Sequence, residues 1–119
     1  MKIFFIVVLV LNMLFEGAAG FALILGPEGA GLEPMPAGGN WQLNYGFAAL
    51  AIASAIAWIW PYRTNAAAVG AVMGLLATFH IALTISLGLT GNQVPAMGTH
   101  GLMAVLCIVA LTQRAKWCE

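Results

Sequence analysis

The run from Ala66 to Leu89, AAAVGAVMGLLATFHIALTISLGL, contains no lysine, arginine, aspartate or glutamate. About 20 apolar residues in a helix cross the hydrocarbon core of a bilayer. A helix also satisfies its own backbone polar groups, which hydrocarbon cannot do. The run is therefore expected to be a transmembrane helix, with His80 well inside it. Three more runs share its character, at about 3–25, 41–60 and 97–112. The chain is 62% hydrophobic and 7% charged, too little charge to cover a soluble domain of 119 residues. The expected fold is an all-α membrane protein, an up-down four-transmembrane-helix bundle forming a single integral membrane domain over 1–119.

Composition excludes several classes. There is no basic patch with interleaved aromatic residues, which argues against nucleic acid. Cys107 and Cys118 form no C-x-x-C pair and neither adjoins a histidine, so neither a disulfide framework nor a zinc knuckle is expected. Cys107 reads as a packed thiol. No catalytic residue is assigned.

The first run opens with Lys2, as a secretory signal would, and Gly17-Ala18-Ala19 resembles a cleavage site. The run continues through Phe21-Ala22-Leu23-Ile24-Leu25, too far for a signal core, so it reads as the first span. The outer loop 26–40 is rich in glycine and proline and holds Glu28 and Glu33. The second span places Ala49, Ala53 and Ala57 four residues apart, a stripe that admits close helix approach. Trp58, Trp60 and Tyr62 mark its end at the headgroup layer. On the third span Gly70, Gly74, Thr78, Ala82 and Ser86 form a second small-residue stripe. His80 lies on roughly the opposite side, with Met73, Ala77 and Thr84. Two inward stripes, one on each helix, would satisfy each other; an outward one would dock another membrane protein.

Charge sets the orientation. With four spans, Lys2, Arg63, Arg114 and Lys116 fall on one side, and Glu28 and Glu33 on the other. Basic residues collect in the cytoplasm. Both termini and the Arg63 turn are thus expected to be cytoplasmic in a multi-pass protein, with the two longer loops facing the periplasm or exterior.

Four polar residues, one from each span, fall in the outer half: Glu16, Asn44, His80 and His100. Glu16 and His80 each lie nine residues from the outer end of their span, or about 13 Å at 1.5 Å per residue. Asn44 and His100 lie within about 7 Å of that surface. Ionisable groups in hydrocarbon face the interior and pair with one another. Glu16 is expected to face His80, with Asn12 a turn deeper on the glutamate's side and Thr84 a turn above the histidine.

The plainest reading of this cluster is a network that fixes helix register. Three ligand readings compete with it. Haem b would need His80 and His100 to reach one iron, although their levels differ by several ångströms and no C-x-x-C-H motif is present. A metal would take the two histidines and one carboxylate. A quinone would accept a hydrogen bond from His80 or His100. A proton path is disfavoured, because the cytoplasmic half beyond Asn12 has almost no polar side chains.

In outline the chain resembles small four-helix bacterial inner-membrane proteins of DoxX-like type. The shared features are its length, four spans, a polar residue late in the first helix (Asn12-Met13-Leu14-Phe15-Glu16-Gly17) and Asn44-Tyr45-Gly46 opening the second. The resemblance implies a quinone-facing role, since some DoxX-like proteins are associated with quinone-linked sulfur oxidation. Paired reactive cysteines are lacking here. Thr78-Phe79-His80 and Thr99-His100-Gly101 look like family signatures. The function expected first is an accessory or interaction subunit of a larger membrane complex, with lipids and other membrane subunits, or further copies of itself, as partners. A redox-linked protein binding quinone or haem b is the alternative.

Overall fold

Asn65 starts the central helix α4 (Ala66–Thr90): its side chain accepts from the Ala67 and Ala68 amides at 3.0 and 3.1 Å. These are orphan donors of a first turn, and satisfying them fixes where the helix begins. Gly91 ends it. Its φ of 73° is left-handed, and its amide closes on the Leu87 carbonyl. This computed structural model describes residues 2–26, 41–91 and 93–118.

The other elements are α1 (Lys2–Leu25), α2 (Trp41–Ala53), α3 (Ala55–Ile59), a 3-10 turn (Trp60–Tyr62), α5 (Val94–Thr112) and α6 (Arg114–Cys118). No strand occurs among the described residues. Among the described residues four stretches are long and apolar enough to cross a membrane: Ile3–Leu25, Gln42–Tyr62, Ala66–Thr90 and Val94–Thr112. The expected loop 26–40, with Glu28 and Glu33, falls almost wholly outside the described residues.

Two spans depart from expectation. α5 begins at Val94, not Met97, because Pro95 sits in its first turn. Proline has no amide to lose there, and its fixed φ suits a helix start. The second span is broken at Ser54, where the Ala57 amide bonds back only three residues, to the Ser54 carbonyl at 2.9 Å. Asn12 Nδ2 donates to the Ile52 carbonyl at 3.1 Å. A side chain entering the helical ladder is a known cause of such breaks.

The chain divides into two compact units, 1–8 with 58–119, and 9–57. In the first unit, α4 and α5 form a hairpin across a short connection. Val69, Met73, Leu76, Ala77 and His80 make the buried face of α4, and His100, Met103, Ala104, Cys107 and Ala110 that of α5. Both sets follow a three-and-four spacing, one stripe on each helix. The tail folds back as α6: Trp117 stacks on Phe4 with ring centroids 5.4 Å apart, and its Nε1 donates to the Ala110 carbonyl at 2.9 Å. Phe5, Ile6, Arg63, Thr64 and Trp117 line one cavity of about 210 Å³. The start of α1, the Arg63 turn and the end of the chain therefore lie together at one end of this unit.

In the second unit, α1 meets α2 at two glycines. A Cβ on Gly20 would stand 2.8 Å from the Gly46 carbonyl oxygen, and one on Gly46 would stand 2.9 Å from the Gly20 carbonyl oxygen. Only glycine permits this approach. Ala49 and Ala53 of the expected stripe are buried here, and Ala57 is exposed.

The stripe on α4 differs from the inward-facing expectation. Thr78, Ala82 and Ser86 are all exposed. Two residues turn a helix by about 200°, so the face that buries His80 turns these three outward.

Candidate functional site

The candidate site is built on the α4–α5 hairpin. His80 lies on the buried face of α4 and is 0% exposed; His100 lies on the buried face of α5 and is 4% exposed. Their Nδ1 atoms are 2.9 Å apart, the separation of a hydrogen bond. With both imidazoles neutral, one Nδ1 donates its proton and the other accepts it, so the two rings are opposite tautomers.

The expected difference in level does not keep the rings apart. Around the pair, Gly101 lies against Thr84 and Gly88 against Met97. This register sets His100 about one turn nearer the connection than His80. The imidazoles are long enough to close that offset, and the rings tilt by 39° with centroids 5.2 Å apart. Starting α5 at Val94 also puts His100 three residues deeper in its helix than a start at Met97 would.

Phe79 walls the pair. Its ring meets His80 edge-on at 5.3 Å and His100 at 6.2 Å between centroids. An aromatic edge presents positive charge to a neighbouring ring face, which favours these T-shaped contacts. Phe79 was singled out in sequence only as part of Thr78-Phe79-His80. Its helical position beside His80 was the available signal. Thr84 Oγ1 donates to the His80 backbone carbonyl at 2.8 Å, so it serves the helix and not the imidazole.

The remaining expected residues belong to the other unit. Asn12 and Glu16 are both fully buried, one turn apart on α1, as expected of an inward polar face. Neither Glu16 nor His80 points outward. Asn44 is a correction: it is exposed. α2 buries Gly46, Ala49 and Ala53, and two residues before Gly46 the helix has turned about 200° away.

The ring geometry bears on ligands. Haem held between two axial imidazoles places a porphyrin plane between the rings. At 2.9 Å between Nδ1 atoms and 5.2 Å between centroids there is no space for one, so the pair does not fit haem. Cys107 is a buried free thiol, the packed thiol expected, and Cys118 a half-buried one. No family model, curated protein or solved structure matches the chain.

Proposed function

We propose that this protein is a non-catalytic interaction subunit of a larger assembly in a bacterial inner membrane, crossing it four times with both termini cytoplasmic. The observation that supports this most is the outward stripe of Thr78, Ala82 and Ser86 on α4. Lipid needs no small residues. A neighbouring helix does, because they let two backbones approach closely. Thr78 Oγ1 already donates to the Gly74 carbonyl at 2.9 Å, so Thr78 offers contact without an unmet hydroxyl. The outline resemblance to DoxX-like proteins agrees with an inner-membrane location.

In this reading the buried polar groups hold the helices in register. His80 with His100 does so for α4 and α5. The expected pairing of Glu16 with His80 belongs to the same proposal. A double-mutant cycle of Glu16→Gln and His80→Ala tests it: non-additive losses of stability support the pairing, and additive losses overturn it.

The experiment on the function itself is purification in mild detergent with mass measured by light scattering. The expected result is a defined complex, with a partner or with further copies, that Ala82→Trp dissociates. A strictly monomeric protein with nothing co-purifying overturns the proposal.

A further inference from the structure

His80 and His100 present two nitrogen ligands to one point from adjacent helices. Both are buried, and both are Nδ1 atoms. Tetrahedral zinc binds imidazole at about 2.0–2.1 Å, which sets two such nitrogens about 3.3 Å apart. The observed 2.9 Å is short of that by only about 0.4 Å. Side-chain rotation supplies such a shift without moving α4 or α5.

We propose that the Nδ1 atoms of His80 and His100 together bind one Zn2+ ion, with oxygen donors completing its coordination. Imidazole suits zinc among the first-row metals, and zinc imposes no geometry of its own through d electrons. The charge balance is simple. In the free pair one Nδ1 carries the shared proton; on binding, that proton passes to Nε2 of its own ring. Both imidazoles stay neutral, no proton leaves the pair, and the metal occupies the position of the hydrogen bond. Phe79, edge-on to both rings, shields the site on one side. This goes beyond the interaction-subunit reading and does not depend on the α4 stripe.

The test uses full-length protein in detergent, stripped with a chelator and then dialysed against Zn2+. Elemental analysis should find one zinc per chain, and His80→Ala or His100→Ala should weaken binding at least tenfold while helical content stays unchanged. Zinc retained equally by the His80→Ala/His100→Ala double variant, or no zinc bound by the wild type, overturns the proposal. Should the variants fail to fold, the wild type decides alone. The chain has two histidines, so side-chain nitrogen NMR of 15N-histidine protein reads the pair directly. Added Zn2+ should shift both Nδ1 resonances together at one equivalent. A shift of one ring only, or of neither, overturns the proposal.

Discussion

At the scale of single residues, the buried polar groups carry the account. Glu16 is fully buried within an apolar helix. Replacing it with alanine removes a buried polar group and leaves any group it bonds unsatisfied, at a cost of about 1–3 kcal/mol. Glu16→Gln should cost less, because an amide still hydrogen-bonds. Thermal unfolding of both variants in detergent gives the order; equal losses would show that the carboxyl only fills space. For the histidines, metal-free protein labelled with 15N-histidine should show one protonated and one unprotonated Nδ1, coupled across the hydrogen bond. These residues were recognisable in sequence because polar groups stand out in apolar runs. That His80 meets His100 was not, because counting residues gives the level of a backbone and not the reach of a ring. Asn44 misled for a related reason. Polarity marked it, but the helix face was set by Gly46, Ala49 and Ala53.

At the scale of elements, glycines separate real contacts from open faces. Gly20→Ala and Gly46→Ala each place a methyl under 3.0 Å from a backbone oxygen, so α1 and α2 must move apart. The expected loss is about 1–3 kcal/mol for each, as for other overpacked contacts. Gly74 meets nothing within 4 Å. Gly74→Ala should therefore be neutral, or stabilising by up to about 1 kcal/mol through helix propensity. Comparing the three by thermal unfolding checks the α1–α2 contact. Trp117 anchors α6: Trp117→Phe should keep the stack on Phe4 and lose the bond to Ala110, while Trp117→Ala should lose both and open the tail to proteolysis. The spans themselves were legible because uncharged runs of this length have few other folds. The break at Ser54 was not, since the side chain at the Ile52 carbonyl comes from Asn12, forty residues earlier. Nor was the outward turn of Thr78, Ala82 and Ser86, because small residues and His80 compete for one helix's inner face.

For the whole molecule, the account rests on four crossings with every basic residue on the cytoplasmic side. Arg63, Trp117 and the start of α1 share one end of their unit, as an even number of crossings requires. Position 30, in the stretch between α1 and α2, and Cys118 are separated by the second, third and fourth spans, so four crossings would put them on opposite sides. Labelling Ala30→Cys protein with a membrane-impermeant maleimide tests this in one measurement, since Cys107 is fully buried. In intact spheroplasts the account predicts that position 30 reacts at once and Cys118 only after the membrane is permeabilised. Reaction of both before permeabilisation would contradict the four crossings, and reaction of Cys118 alone would contradict the orientation.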